Sequence, residues 1–459
     1  MFPNFRAFAL FALALPVAGQ LPPAATAKID AAAEKALADS GAPSVSIAVV
    51  KDGRIAYVKA YGNARLQPAA AARPEMRYSI GSVSKQFMAG AILMLVEEGK
   101  LSLDDKVGHY LPNLTRANEI TIRQLLSHTS GYQDYYPLDY VAPFMLKPVT
   151  ADDILKTWAG KPLDFDPGTR WQYSNTNYVA AGRILERVTG APFAAFLQAR
   201  VFGPLGMTSV IDLDEKSLTE SDAAGYTRFG LGPARAVAPE GRGWLFAAGE
   251  LAMTARDLAR WDVSLMEHQL LTPGSLDTMM NPVRLKNGAP TGYALGVGVS
   301  DADGHPMLRH GGAVSGFVSL NTVWPDERAA VVVFANMDGS SAPGSVANQI
   351  APLLLAEAED PQATQQLEQA RRILSGLQEG KIDRALLNPD ADAYFTSQVL
   401  QDAAASLKPL GAPESFRQTS VELRGGMQYR HFQIQFKGKS LHLSTFTTVN
   451  GKLAQYLIQ

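Results

Sequence analysis

The sequence predicts an α+β fold, in which an antiparallel sheet is flanked by helices and a helical region, with a small α+β roll at the C-terminal end. Three patterns lead to this prediction. A hairpin signal lies near the N-terminus, strand-like segments return only after residue 300, and two helical segments beyond residue 360 precede several short alternating strands. Groups of strands separated by groups of helices favour an α+β architecture over repeated β-α-β units.

The main sheet is predicted from both ends of the larger domain. Apolar residues alternate along 44–50, Asp52-Gly53 is a typical turn dipeptide, and a second alternating run begins at Ile55. Strand character returns at three later segments, 307–309, 316–324 and 329–335. Helical patterns that would pack on this sheet cover 29–39, 82–98 and 347–358.

A domain boundary is predicted at Asp360-Pro361. Helical patterns follow at 362–376 and 393–407, and short strands at 432–436, 441–443 and 453–458. Two helices before a curled sheet resemble the cystatin-like fold. We therefore expect a larger domain over 28–360 and an accessory domain over 361–459, whose role the sequence leaves open.

Composition excludes several classes of function. Hydrophobic residues make up 46% and charged residues 19% of the 459 residues, which is typical of a globular protein with a sizeable core. A net charge of −2 gives no field that would recruit nucleic acid or an anionic membrane. The absence of cysteine excludes disulfides and thiolate nucleophiles, and the seven histidines show no metal-binding spacing. We expect no cofactor and no metal, and the oligomeric state stays open.

The N-terminus resembles a secretory signal. Arg6 precedes an unbroken apolar stretch over 7–15, and Pro16 ends it. Small residues suitable for cleavage follow at Val17-Ala18-Gly19 and at Ala25-Thr26-Ala27. The stretch is too short to span a bilayer, and no later segment reaches about 18 consecutive apolar residues. We therefore predict a signal peptide over 1–19, with its end uncertain up to residue 27, and an exported protein, periplasmic or secreted, without stable membrane insertion.

The strongest chemical signal is Ser82-Val83-Ser84-Lys85 at the start of a predicted helix. Residues three apart lie on one helix face, so the Lys85 amine would reach the Ser82 hydroxyl. Serine becomes a nucleophile only when a nearby base takes its proton, and lysine is such a base only when its pKa is lowered. This pattern predicts Ser82 as a nucleophile, although Ser-x-x-Lys also occurs by chance.

Two further groups accompany this pair. Tyr173-Ser174-Asn175 offers a hydroxyl that could carry a proton and an amide that could orient a substrate carbonyl. His310-Gly311-Gly312-Ala313 ends a short strand, where paired glycines let a substrate approach the backbone and an N–H could hold an oxyanion. Alone, each group could equally be structural.

Together the three motifs resemble those of the β-lactamase and penicillin-binding protein superfamily. Their order is similar to that of the class C β-lactamase branch, with its D,D-carboxypeptidases, D-aminopeptidases and β-lactamase-like esterases. Ser127–Gly131 and Ala248–Leu251 are also similar to that branch, and the resemblance covers about 29–358. It implies a serine β-lactamase/DD-peptidase-like fold and a small-molecule or peptide substrate.

The resemblance also implies a role for each motif residue. Ser82 would be acylated, and Lys85 and Tyr173 would share the general-base and general-acid work, with the first base left open. Substrate would be bound by Asn175, by His310 and Gly312, and by the N–H of Ala313, which would form the oxyanion hole with the N–H of Ser82.

His310 stands where β-lactamases of this branch carry lysine. Histidine has an ordinary pKa of about 6.5, so we expect it to be charged only part of the time near neutrality. That residue resembles the esterase and D-aminopeptidase members and favours a short-chain ester or a D-amino peptide, with a β-lactam still possible.

Three other interpretations of the sequence compete with this one. An α/β-hydrolase would need a Gly-x-Ser-x-Gly elbow, which the sequence lacks, and a metalloenzyme would need convergent ligands. The remaining alternative is a non-catalytic peptidoglycan or penicillin-binding sensor on the same fold.

Overall fold

The structure, a computed structural model, describes residues 21–302, 304–355 and 362–459. The chain forms two compact units that divide between residues 356 and 357. The predicted signal peptide, 1–19, lies outside the described residues, and the predicted boundary at residue 360 falls in the second gap. Within the described ranges, no helix has the length and apolarity needed to cross a membrane.

The strands of the described residues form two large sheets, of seven and four strands, and two small sheets of short strands. In chain order they are β1 (Ser44–Lys51), β2 (Arg54–Leu66), β3 (Ala69–Ala71), β4 (Tyr78–Ser79), β5 (Ile211–Asp212), β6 (Tyr226–Thr227), β7 (Arg235–Ala236), β8 (Leu251–Met253), β9 (Gly298–Ala302), β10 (His305–Val314), β11 (Phe317–Trp324), β12 (Ala329–Ala335), β13 (Ser415–Arg424), β14 (Met427–Phe436), β15 (Lys439–Thr447) and β16 (Leu453–Ile458).

The helices of the same ranges include several single turns. They are α1 (Pro23–Ser40), α2 (Lys85–Glu97), α3 (Val107–Tyr110), α4 (Ile122–Leu126), α5 (Ala151–Ile154), α6 (Asn175–Thr189), α7 (Phe193–Leu197), α8 (Ala255–Met266), α9 (Pro273–Met280), α10 (Ala342–Leu354), α11 (Ala363–Gln378), α12 (Pro389–Tyr394) and α13 (Ser397–Leu407). Four 3₁₀ turns, at Gly81–Ser84, Pro143–Leu146, Arg384–Leu386 and Lys408–Leu410, and two π turns, at Leu155–Ala159 and Gln198–Phe202, complete them.

The larger unit is built on a seven-stranded antiparallel sheet in the order β3-β2-β1-β12-β11-β10-β9. Strand β1 lies between β2 and β12, so the N-terminal hairpin is joined directly to the strands that end this unit. Both β1 and β12 are buried along almost their whole length. A strand covered on both faces needs an almost continuous apolar sequence, which explains the valine-rich runs of these two segments.

The two faces of this sheet carry two separate cores. On one face Ile47 and Val333 belong to a core that includes Ile29 of α1 and Ile350 of α10. On the other face Val332 belongs to a larger core that includes helices α2, α6 and α8. The predicted antiparallel sheet flanked by helices, with a helical region, is confirmed.

Helix α2 lies in the centre of the larger core. Every residue from Lys85 to Leu95 is buried, because the sequence is apolar on all sides apart from its first two residues. The prediction placed the start of an α-helix at Ser82, but Gly81–Ser84 forms a 3₁₀ turn that continues into α2. Side chains three residues apart eclipse one another in a 3₁₀ turn, so Ser82 and Lys85 are aligned more closely than on an α-helix.

The smaller unit has its own sheet and core. Its four antiparallel strands lie in the order β13-β14-β15-β16, and Phe432 and Ile434 pack in one core with Ile373 of α11. The predicted α+β character of this part is confirmed. The prediction of a single helix over 393–407 is wrong. Helix α12 ends at Tyr394, and Thr396 caps the start of α13, because its side chain accepts a hydrogen bond from the Val399 N–H at 3.3 Å.

Candidate active site

Ser82 directly follows a glycine at which the backbone turns into the core. Gly81 has a φ of +51°, in the left-handed region that glycine tolerates, and a Cβ built on it would lie 3.0 Å from the Ala313 nitrogen. The preceding residue is anchored by a hydrogen bond from the Ile80 N–H to the Leu251 carbonyl at 3.0 Å. Ser82 itself is half-buried and stands in the first turn, where backbone N–H groups have no acceptor inside the helix.

Lys85 is held beside Ser82 by three acceptors. Its Nζ lies 2.9 Å from Ser82 Oγ, 2.8 Å from Asn175 Oδ1 and 2.7 Å from the Ala248 carbonyl oxygen. The side chain is 0% exposed. Burial lowers the pKa of Lys85 to about 7, although the carboxyl groups of Asp134 and Glu250 oppose that change. A lysine in this state is neutral for part of the time near pH 7 and can accept a proton.

Tyr173 and Asn175 approach the pair from the N-terminal end of α6. Burial raises the pKa of Tyr173 well above its ordinary value, and a hydrogen bond with the Ser82 side chain partly offsets this. The Tyr173 ring packs on the His128 ring at 4.2 Å between centroids, and Lys85 Nζ lies 5.0 Å from the tyrosine ring centre. Tyr173 therefore keeps its proton at neutral pH next to Ser82.

The edge of β10 supplies a backbone N–H. The two-residue turn after Val314 is closed by the Val314–Phe317 pair, so the next pair, Ala313–Val318, is not hydrogen-bonded. The N–H of Ala313 consequently points away from β11. Strand β9 pairs with β10 only as far as Arg309, so this edge is free to face Ser82. Gly312 is required here, because a Cβ at that position would lie 1.9 Å from the Ile80 carbonyl oxygen.

His310 does not titrate as the sequence suggested. Its Nδ1 lies 2.6 Å from the Gly311 carbonyl oxygen and its Nε2 lies 2.8 Å from the Tyr293 hydroxyl. The carbonyl can only accept, so Nδ1 carries the proton and Nε2 accepts from Tyr293. The side chain is 6% exposed, and burial, with Lys85 nearby, lowers the pKa of His310 to about 3. The expectation of a partly charged histidine near neutrality is wrong, because burial disfavours the cation.

We expect the His310 imidazole to remain neutral from about pH 5 to about pH 8, with its proton on Nδ1. Nitrogen chemical shifts of the ring, recorded over this range on histidine-labelled protein, measure both properties. A titration of His310 near pH 6.5 would contradict this description of the site.

Sequence reasoning missed two groups that contact these residues. Asp134 accepts hydrogen bonds from the Asn175 N–H at 2.9 Å and from Asn175 Nδ2 at 3.2 Å. Tyr293 fixes His310. Neither residue belongs to a recognisable motif, and both are brought in by loops, so the sequence offered no signal for them. Among the described residues, no group of three or more His, Asp or Glu side chains is placed to hold a metal ion.

A cavity of about 390 Å³ begins at the end of β10. It is lined by apolar side chains such as Leu213 and Phe317, and by Glu240, which accepts a hydrogen bond from the Ser315 N–H at 2.9 Å. Two arginines, Arg65 and Arg242, also line it. The cavity gives this end of the site room for a small molecule or a short peptide.

Known proteins that are similar to this chain include a penicillin-binding-like protein and an amidohydrolase. The chain is 28% identical over 309 residues to the putative penicillin-binding protein PbpX of Bacillus subtilis, covering 67% of this chain and 74% of PbpX. A D-stereospecific amidohydrolase from Streptomyces has a TM-score of 0.61 and 29% identity, covering 70% of this chain and 96% of that one. The octameric penicillin-binding protein homologue from Pyrococcus abyssi, at 22% identity and a TM-score of 0.62, shares the fold over 95% of this chain and 100% of its own.

These likenesses confirm the predicted resemblance and support serine hydrolase activity in general. The model of the Beta-lactamase family matches residues 29–355, most of the chain and all of the motifs described above. The chain belongs to the Beta-lactamase family.

Proposed function

We propose that this chain is a serine hydrolase that forms an acyl-enzyme on Ser82 and hydrolyses an ester or an amide. The single observation that carries the proposal is the contact of 2.9 Å between Lys85 Nζ and Ser82 Oγ, with Lys85 fully buried. A buried lysine with a pKa near 7 removes the obstacle to using serine as a nucleophile at neutral pH.

In the first step Ser82 Oγ attacks the substrate carbonyl carbon, and its proton passes to the neutral Lys85 amine. The carbonyl oxygen becomes negatively charged and accepts hydrogen bonds from the N–H groups of Ser82 and Ala313. Lys85 is the better first base, because its pKa is lowered while that of Tyr173 is raised. A tyrosine that keeps its proton would serve as the acid.

In the second step the tetrahedral intermediate breaks its bond to the leaving group. Tyr173 gives its proton to the departing amine or alcohol, and Lys85 returns the proton taken from Ser82 to the tyrosine oxygen. Water then attacks the acyl-enzyme through the same groups in reverse order and releases the acid. Asn175 orients Lys85 throughout, because its Oδ1 accepts from Nζ.

Amides and peptides of D-amino acids, or short-chain esters, are the substrates we favour, with β-lactams still possible. The Streptomyces relative is a D-stereospecific amidohydrolase, which supports the first class. Neutral His310 supports both, because it provides no fixed cation for a substrate carboxylate. Consistent with the N-terminal sequence pattern, we also propose that the protein acts after export.

Trapping the acyl-enzyme tests the proposal. Intact-mass spectrometry after exposure to a fluorophosphonate or a penicillin should show one adduct, mapped to Ser82 by peptide analysis. The Ser82→Ala variant should show no adduct, while Ser84→Ala, which removes a neighbouring hydroxyl in the same turn, should retain it. Wild-type protein that forms no adduct with either reagent and cleaves no ester or amide would instead indicate a non-catalytic sensor.

A further inference from the structure

The smaller unit has a cavity of about 430 Å³ on the face of its sheet that is turned away from its core. Side chains alternate along β14, where Phe432 and Ile434 enter the core with α11 while Tyr429 and His431 lie on the opposite face. The lining residues of the cavity all lie between Arg424 and Gln459, so the smaller unit forms it alone.

Two stacked aromatic rings line this cavity. Tyr429 of β14 and Phe446 of β15 are cross-strand partners, and their ring centroids lie 4.2 Å apart with 14° between the ring planes. The His431 ring packs edge-on against Tyr429 at 4.4 Å. Both aromatic side chains are half-buried, and neither belongs to the core of the unit. Partly exposed rings of this kind are stabilised when a flat or apolar molecule covers them.

Arg424 lies beside these rings at the end of β13. Its guanidinium carbon is 5.4 Å from the centre of the Tyr429 ring and 5.9 Å from that of Phe446, within the range of a cation–π contact. Gly425 and Gly426, with φ of +59° and +76°, form the tight turn that connects Arg424 to β14. Within the described ranges its guanidinium makes neither a hydrogen bond nor a salt bridge. Ring contacts therefore orient a cation whose N–H donors remain available to a ligand.

The charge of the lining favours an anion. Arg424 lines the cavity, whereas the Asp and Glu side chains of the described residues do not. Two histidines, His431 and His442, also line it and can donate ring N–H groups. Ser444 Oγ accepts a hydrogen bond from Gln455 Nε2 at 2.9 Å, which leaves the serine O–H as another donor. A cation would be repelled here, and a neutral sugar would leave the arginine unpaired.

We propose that this cavity binds a small organic carboxylate with a flat or apolar body. The carboxylate pairs with Arg424, because the planar guanidinium fork matches the two oxygens of a carboxylate in a bidentate contact. The body of the ligand lies against Tyr429 and Phe446, whose rings line the same cavity. A volume of about 430 Å³ is in the range of small-molecule sites and accommodates a two-ring acid. This binding does not depend on the chemistry of Ser82.

Calorimetric titration of the full chain with 2-naphthoate and with 2-naphthalenemethanol tests the proposal. The two molecules share one ring system, and only the first has a carboxylate. Wild-type protein should bind 2-naphthoate about 10- to 100-fold more tightly, the ratio that a hydrogen bond to a charged group supplies. Arg424→Gln should lose this preference, and Arg424→Lys, which keeps the charge without the planar fork, should retain part of it. Ser82→Ala should bind as the wild-type protein does.

Arg417→Gln is the matched control. Arg417 is an exposed arginine of the same strand that contacts Gln433 and lies outside the cavity lining, so its replacement should leave both affinities unchanged. Ring signals of histidine-labelled protein locate the bound acid. The signals of His431 and His442, identified by their loss in His431→Gln and His442→Gln, should shift when 2-naphthoate is added, while that of His310 should not.

Equal affinities for the acid and the alcohol, or no binding of either at millimolar concentration, would overturn the inference. Unchanged affinity for 2-naphthoate in Arg424→Gln would do the same. A shift of the His310 signal alone would show that the acid binds near Ser82 and would also overturn it. Binding that follows this pattern in protein without any Ser82 adduct or hydrolysis would uphold the inference while the proposed function fails.

Discussion

Replacing Lys85 with methionine is expected to lower kcat/KM by about 10²–10⁴-fold, the range associated with loss of a general base. Methionine fills the same buried space with an unbranched chain but cannot accept the Ser82 proton. The wild-type profile should rise with pH through about 7, because the neutral form of Lys85 is the active base and its pKa lies there. Below that pH the rate should fall about tenfold per unit, and the variant should lack this limb.

Lys100→Met is the control for this experiment. Lys100 is exposed just beyond the end of α2 and pairs with Glu98 at 2.8 Å on the surface. Its replacement should change neither the rate nor the pH profile, because an exposed ion pair of this kind contributes little to stability. Full activity in Lys85→Met, with an intact thermal transition, would remove Lys85 from the mechanism.

Replacing Tyr173 with phenylalanine should affect amides far more than activated esters. The hydroxyl is expected to protonate the leaving group, and an amine leaves only when it receives a proton. We expect a loss of about 10²–10⁴-fold in kcat/KM on an anilide and less than about tenfold on p-nitrophenyl acetate, whose leaving group departs as an anion. The packing of the ring against His128 would be kept by phenylalanine.

The loss of kcat/KM on the anilide, divided by the loss on p-nitrophenyl acetate, shows whether Tyr173 acts as the acid or as the base. A base that takes the Ser82 proton would be needed for both substrates, so equal losses would favour Tyr173 as the base and contradict its role as the acid. Measurement of kcat/KM for both substrates in one enzyme preparation removes errors in active-site concentration. Fluorophosphonate labelling of the variant, in which fluoride leaves without needing a proton, would show that Ser82 remains reactive.

The parts of the fold that local patterns determine were predictable. Alternation and a turn dipeptide identified the β1–β2 hairpin, and the segment 329–335 was predicted with the ends that β12 has. Other elements depend on packing. β13 was missed because Phe416 is the one buried residue in a mostly polar strand, and its partner β14 determines its conformation. The break at Thr396 was missed because a helical segment lies on each side of it.

The candidate site likewise has residues that the sequence predicts and contacts that only the fold creates. Ser82, Lys85, Tyr173 and Asn175 lie in short motifs, and the structure places them within reach of one another. The state of His310 could not be predicted, because its burial and its bond to Tyr293 depend on the path of a distant loop. Asp134 was missed for a similar reason, since an acidic residue in a loop has no recognisable pattern until the fold brings it to Asn175.

The burial of α2 on every side has a consequence for protein engineering. Substitutions in this helix would disturb the position of the nucleophile through the core, so libraries directed at it would mostly yield inactive variants. The exposed apolar side chains of the loop that follows Asp134, among them Leu138 and Tyr140, carry no such constraint. Directed evolution of a new substrate range should therefore begin by exchanging 137–140 and leave 81–97 unchanged.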